Sequence, residues 1–285
     1  MTAYNRLSTY FELLNWGKSY LKASDIDEDV ARWLMQERFN LSQTDLIIKR
    51  QDVMPEEEKK QYLQDLEKAK NHYPPQYIVG REWFYDRAFK VTESTLIPRP
   101  ETEEWFDRYI KDLPDKSLTV VDVGTGSGVL GISHKLMRPQ DSVILTDISP
   151  KALSVAKENA KLLGADITFL EGDTLEPLIE KNISVDLLVS NPPYISEDEW
   201  DEMDQSVRTY EPKSALFAQN NGLAIYERLL NQSSMILSSN SNLLLEIGYK
   251  QSNAVKKLVR QYYPQADVEI WTDVNGLDRV IKVIV

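Results

Sequence analysis

The sequence predicts an α/β fold: a seven-stranded sheet, parallel except for its last strand, preceded by a small helical bundle and a β-hairpin linker. Three observations carry this expectation. From Leu118 onward, short apolar runs alternate with helix-length segments, the pattern of a parallel sheet covered on both faces. The last two runs lie close enough to pair as an antiparallel hairpin through Asp273-Val274-Asn275-Gly276. Before Pro74 the apolar residues instead recur at three-to-four spacing, as on amphipathic helices. The expected divisions are residues 1–73 for the bundle, which would recognise a substrate protein, 74–97 for the linker and 98–285 for the sheet domain.

In the bundle, Leu7, Tyr10, Phe11 and Leu14 mark a first helix, expected to stop at Asn15 and Gly17. Val30, Trp33, Leu34 and Met35 mark a second, and Thr44 to Lys49 a short third. A fourth starts after Pro55, with Glu56, Glu57 and Glu58 in its first turn, where acids suit the helix dipole. Pro74 and Pro75 close the bundle. Tyr77, Val79, Trp83, Phe84, Tyr85, Phe89 and Val91 then alternate with polar residues around Gly80 and Asp86, which reads as the hairpin. The expected sheet strands are Leu118–Val123, Ser142–Asp147, Ile167–Glu171, Val185–Ser190, Leu243–Ile247, Val268–Thr272 and Arg279–Val285.

Two strand ends carry chemistry. The first strand runs into Asp122-Val123-Gly124-Thr125-Gly126-Ser127-Gly128, and glycines at alternate positions let a ligand approach backbone N–H groups at a helix start. Asp147, about 20 residues after the glycines, stands where a carboxylate reaches ribose hydroxyls. Gly126, Gly128 and Gly131 also satisfy the dinucleotide pattern, so a nicotinamide or flavin enzyme competes on the glycines alone. Asp122 argues for a ligand with positive charge near the loop and against a pyrophosphate. Asp173, followed by Thr174, reads either as an acceptor for an adenine amine or as a surface turn acid.

The fourth strand ends in Asn191-Pro192-Pro193-Tyr194. The prolines have no N–H and fixed φ, so this turn offers acceptors held still: the Asn191 side-chain oxygen and the Pro192 carbonyl. Such a pair would grip both hydrogens of a planar NH2 group, with the Tyr194 ring against its plane. Taken alone, the tetrapeptide reads more readily as a proline-terminated core strand whose Tyr194 merely packs. Upstream, Leu96-Ile97-Pro98-Arg99-Pro100-Glu101-Thr102-Glu103 is either a stiff linker opening a helix or a segment placing Arg99 and Glu101 at the mouth of a pocket.

Composition narrows the options. There are no cysteines, which excludes disulfides and thiolate metal sites, and the two histidines, His72 and His134, each read as a lone side chain on the surface, so no metal is expected. No apolar run approaches the roughly 20 residues of a membrane span. Residues Met1 to Lys18 lack the layout of a secretory signal, so a cytoplasmic protein is expected. A net charge of −12 repels phosphate backbones and attracts a basic protein partner.

The glycine loop with Asp147, followed by Asn191-Pro-Pro-Tyr194, resembles class I S-adenosylmethionine-dependent methyltransferases acting on an NH2 nitrogen. That resemblance is shared with DNA and RNA amine methyltransferases. Gln76-Tyr77-Ile78 with Gly80, the Leu96–Glu103 segment, Glu211-Pro212, Gly222-Leu223, Glu246 with Gly248 and Gln251, and Asp273 with Asp278 and Arg279 resemble the protein-(glutamine-N5) methyltransferases. The likeness covers the chain from about Pro74 to its end. It implies a Rossmann-like methyltransferase sheet, S-adenosylmethionine as cofactor and methylation of the Gly-Gly-Gln glutamine of peptide-chain release factors, which modulates translation termination. It also implies cofactor contacts from Asp122, Gly124, Thr125, Gly126, Ser127, Gly128, Asp147, Asp173, Thr174 and Asn191. Catalysis is expected from Asn191, Pro192 and Tyr194, and substrate contacts from these with Pro193, Arg99 and Glu101. The chain is expected to act as a monomer without touching nucleic acid or membrane. One departure stands out: residues 217–221, Phe-Ala-Gln-Asn-Asn, replace a stretch where that family often carries glycines, which leaves the shape of this loop open.

Overall fold

A computed structural model describes residues 7–285; residues 1–6, which belong to the expected bundle and to the stretch read for a signal, lie outside it. The chain forms two compact units, residues 7–80 with Asp204–Tyr210, and Arg81–Met203 with Glu211–Val285.

In the first unit, α1 (Tyr10–Lys22), α2 (Asp29–Phe39) and α4 (Glu56–Lys70) pack around Leu13, Leu21, Leu34, Met35, Tyr62 and Leu66, with the short α3 (Gln43–Ile48) alongside. Thr9 and Glu12 form a reciprocal capping box that starts α1. α1 does not stop at Asn15 and Gly17 as expected but runs on to Lys22. The reason is tertiary: a Cβ at Gly17 would meet the Tyr62 hydroxyl at 2.7 Å, so this glycine marks a close helix contact rather than a helix end. Asp65, fully buried, is held by the Arg38 guanidinium at 2.6 and 3.1 Å and by Gln61 at 2.9 Å, which satisfies its charge in the interior. Tyr77 and Val79 are also not strand residues: α5 (Pro75–Val79) is a short helix opened by its prolines and ended by Gly80 at φ +83. The hairpin is confined to β1 (Arg81–Phe84) and β2 (Arg87–Lys90).

The second unit holds seven strands in the order β5-β4-β3-β6-β7-β9-β8. They are β3 (Thr119–Val123), β4 (Ser142–Asp147), β5 (Thr168–Glu171), β6 (Val185–Ser190), β7 (Leu237–Glu246), β8 (Asp267–Thr272) and β9 (Asp278–Ile284). β3 pairs in parallel with β4 and β6, and β9 alone is reversed, lying between β7 and β8. Side chains leave each strand to alternate faces. Val120, Leu187, Val189 and Leu244 pack with Trp105, Phe106 and Tyr109 of α6 (Pro100–Lys111) and with Leu130 and Ile132 of α7 (Val129–Met137). Val121, Leu188, Leu243 and Leu245 pack on the other face with Tyr226 and Leu229 of α11 (Ala224–Ser233) and Val255 and Val259 of α12 (Ser252–Tyr262). Both faces being covered explains the apolar runs, and truncating a buried leucine such as Leu188 to alanine would cost about 2–5 kcal/mol.

From β3 the chain moves outward to β4 and β5, then crosses back to place β6 on the opposite side of β3. The C-terminal ends of β3 and β6 therefore open on the crevice where strand order reverses, the position at which open α/β sheets bind ligands.

Candidate active site

A cleft of about 360 Å³ occupies that crevice, within the size range of small-molecule sites. One wall is the loop after β3. Gly124 and Thr125 donate their N–H groups to the Thr146 carbonyl at 2.9 and 3.0 Å, which straps the loop to β4. Gly126 sits at φ +56, a conformation other residues adopt at a cost, and its N–H donates to Asp147 Oδ2 at 2.9 Å. Asp122, 2% exposed, accepts from Thr125 Oγ1 at 2.6 Å and from the Gly131 N–H at 3.0 Å, so one carboxylate ties the loop to the first turn of α7. Asn159 on α8 (Pro150–Leu163) completes the frame: its Nδ2 donates to the Ser127 carbonyl at 2.8 Å, and its Oδ1 accepts from the Lys90 N–H at 2.7 Å.

Burial pushes the Asp122 carboxyl up to about 6 and raises that of Asp147 as well, and the charge of Asp147 adds to the shift of Asp122. Two neighbouring carboxylates on a cleft wall, whose partners among the described residues are backbone amides and a hydroxyl, favour a ligand that carries positive charge. Asp147 spends one lone pair of each oxygen on the N–H groups of Gly126 and Ser149, leaving each oxygen able to accept from a further donor such as a hydroxyl. Beyond Asp147, Ile148 is 62% exposed and lines the same cleft, an apolar surface for a flat ring. These residues fit S-adenosylmethionine: acceptors for its ribose, an apolar face for its adenine and carboxylates near its cationic groups.

Asp173 and Thr174 lie on the rim. Asp173 forms an ion pair with Arg228 of α11, and Thr174 turns its hydroxyl away to Gln232 Oε1 at 2.6 Å, so Thr174 offers the cleft its backbone. The opposite wall is Asn191, Pro192 and Pro193 at the end of β6. Arg99 also lines the cleft, held by the buried Glu211 at 2.5 Å, and the same carboxylate accepts from the Ile97 N–H at 3.2 Å. Three residues named from sequence are not part of the lining: Gly128, Glu101 and Tyr194. A Cβ at Gly128 would meet Ile132 at 2.6 Å, so its absence there serves loop-to-helix packing. Tyr194 packs against the core beneath β6 and α11, and burial pushes its phenol up.

Sequence reasoning overlooked Asn159, Arg228, Gln232 and the rim residues Ser94 and Thr95. Only Ile148 carried a local signal, an apolar residue beside the strand-end acid. In the loop where glycines were missing, Asn220 and Asn221 adopt φ +56 and +52, a region that asparagine tolerates better than most residues.

Residues 12–80 match the family model for the PrmC N-terminal domain, and residues 108–233 match that for the methyltransferase small domain. A protein of Enterococcus faecalis named release factor glutamine methyltransferase is 48% identical over 271 residues, covering 95% of this chain and 97% of its own. A Bacillus subtilis protein of the same name is 38% identical, covering 98% of this chain and 99% of its own. The crystal structure of a methyltransferase from Pyrococcus furiosus shares the fold, with a TM-score of 0.53 at 13% identity over 81% of this chain and 98% of its own.

Proposed function

The chain belongs to the release factor glutamine methyltransferases, and from that premise we propose that it methylates the side-chain amide nitrogen of the Gly-Gly-Gln glutamine in peptide-chain release factors. The observation that carries the reading is the position of Asn191: with Pro192 it lines the cleft that also holds the glycine loop and Asp147.

When bound, S-adenosylmethionine supplies a methyl group already activated by a positive sulfur. Asp147 would hold its ribose, Ile148 its adenine, and the carboxylates of Asp122 and Asp147 its positive charge. The difficulty lies with the acceptor, because an amide nitrogen delocalises its lone pair into the carbonyl. Asn191 Oδ1 and the Pro192 carbonyl accept the two N–H groups, which orients the nitrogen and disperses the positive charge that grows on it during transfer. Neither acceptor has to reorganise, since proline fixes one and the strand end positions the other. The methylated nitrogen becomes acidic and gives its proton to water or a nearby acceptor, so no dedicated base is needed.

The helical bundle is proposed as the part that recognises the substrate protein. Phe11, Ile47, Ile48 and Val53 are exposed on it, and a groove of about 310 Å³ beside them is lined by Leu14, Leu46, Arg32 and Arg50. An apolar patch of this kind on a soluble domain marks a protein contact. A nucleic-acid substrate is disfavoured by the charge of −12 and by the acidic turn Glu197–Glu202 that follows Tyr194. No helix among the described residues is long and apolar enough to cross a membrane. Action as a monomer in the cytoplasm, where release factors work, is part of the same proposal. The test is incubation with labelled S-adenosylmethionine and a purified release factor, with the modified residue identified by mass spectrometry. Label on the Gly-Gly-Gln glutamine supports the reading; label on another residue or on nucleic acid overturns it.

A further inference from the structure

Asn191 is joined to a chain of buried groups with no part in the transfer itself, and the first of them, Thr102, also lines the cleft. Asn191 Nδ2 lies 3.4 Å from Thr102 Oγ1, and Thr102 Oγ1 lies 2.7 Å from Glu246 Oε2. The same carboxylate oxygen accepts from Trp105 Nε1 at 2.8 Å. Thr102 and Glu246 are each 3% exposed, so neither exchanges partners readily with solvent. The three elements are far apart in sequence: α6 supplies Thr102 and Trp105, β7 ends at Glu246, and β6 ends just before Asn191.

A carboxamide has two ends of opposite character, one accepting and one donating two hydrogens, and rotation by half a turn exchanges them. Only the oxygen-outward orientation serves an N–H substrate, so something has to select it. We propose that Thr102 and Glu246 are positioning residues that select it, through the single hydroxyl hydrogen of Thr102. An ionised Glu246 has no hydrogen to give, and Trp105 Nε1 can only donate, so Oε2 takes the hydrogen of Thr102 as well. With its one hydrogen committed, Thr102 Oγ1 has only lone pairs left to present to Asn191. The side of the amide that meets it is therefore Nδ2, and Oδ1 faces the cleft. Burial raises the Glu246 carboxyl, while the hydrogen bonds from Trp105 and Thr102 work against that shift and favour the ionised form the relay uses.

The inference rests on Asn191 accepting from the substrate amide, and its test separates the two. Thr102→Val keeps the shape and removes the hydroxyl; Thr102→Ser keeps the hydroxyl and removes a methyl group. With a release factor as substrate, Thr102→Val is expected to lower kcat by roughly 10- to 100-fold through a misoriented acceptor. Its dissociation constant for S-adenosylmethionine is expected to stay within about twofold, since the Thr102 hydroxyl bonds to Asn191 and Glu246 and to no residue of the glycine loop. Thr102→Ser should restore kcat to within about threefold of the unaltered enzyme. Equal losses in both variants, or a Thr102→Val enzyme with unchanged kcat, would overturn the relay. If Thr102→Val fails to fold, Thr102→Ala replaces it against the same serine rescue. Asn191→Ala, run in parallel, keeps the outcomes apart: a slow Asn191→Ala with a fast Thr102→Val sinks the relay alone, whereas a fast Asn191→Ala sinks the acceptor role on which it rests.

Discussion

Gln251 donates from Nε2 to the backbone carbonyl of Tyr194 at 2.8 Å, and its Oε1 accepts from the Gly248 N–H at 3.0 Å. One side chain thus pins the far end of the Asn-Pro-Pro-Tyr turn to the segment that follows β7. Gly222 closes against the same point: at φ +78, a Cβ there would meet the Tyr194 carbonyl oxygen at 2.0 Å.

Gly222→Ala is therefore expected to displace the turn rather than merely crowd it. The strained φ and the backbone clash together should cost about 1–3 kcal/mol of stability. Activity should fall by more than about tenfold, because the acceptor oxygens move with the turn. Thermal unfolding and steady-state kinetics check both; a variant with normal kcat would mean the turn tolerates the displacement.

Asp122 gives a pH dependence with a definite sign. Its carboxyl is raised from 3.8 to about 6 in the folded protein by burial, so the folded state holds a proton that the unfolded chain has lost between those values. Its contribution to stability is present below about 4 and is lost as pH rises through about 6. Asp122→Asn, which cannot ionise, should gain on the unaltered protein by about 3 kcal/mol across that interval. The difference in unfolding free energy between the two proteins, followed from pH 4 to 7, measures it; a flat difference would show that Asp122 titrates normally.

His134, expected on the surface, is instead 1% exposed between Asp141 and Tyr109, and it works in the opposite direction. Burial lowers its imidazole from 6.5 to about 4, in a cluster where Nε2 pairs with Asp141 at 2.7 Å and Nδ1 meets the Tyr109 hydroxyl. Its stabilising contribution is complete above 6.5 and is lost as pH falls towards 4. The ring resonances of His134 are expected to titrate with a midpoint near 4 in NMR spectra of the folded protein. A midpoint near 6.5 would contradict the buried, neutral assignment.

Ile47 and Ile48 are each 70% exposed on α3 and carry little packing load. Changing either to aspartate should leave folding and kcat intact and raise KM for the release factor by roughly tenfold if the patch contacts it. Unchanged KM in both variants would move the recognition surface elsewhere.

The parallel strands and the two strand-end motifs were legible because they are written locally. β4 and β6 fall on the expected residues, since continuous apolar runs bounded by polar turns leave little choice of register. Gly17 misled because a helix end and a close helix contact both call for glycine, and only Tyr62, far along the chain, tells them apart. Tyr77 and Val79 misled because two aromatic or branched residues at alternate positions fit a strand as well as one helical turn. The residues that frame the site were the least legible. Asn159 grips Ser127 and Lys90 across long stretches of chain, and nothing in its own neighbourhood distinguishes it from an ordinary surface position on a helix.

The most direct test of the account is the single-turnover rate of methyl transfer in Asn191→Ala with a saturating release factor, measured beside the dissociation constant for S-adenosylmethionine. A rate lower by roughly 100-fold or more, with cofactor affinity changed by less than about threefold, is the expected result. An unchanged rate, or a loss that appears in cofactor affinity alone, would contradict the claim that the Asn191 oxygen holds the amide for transfer.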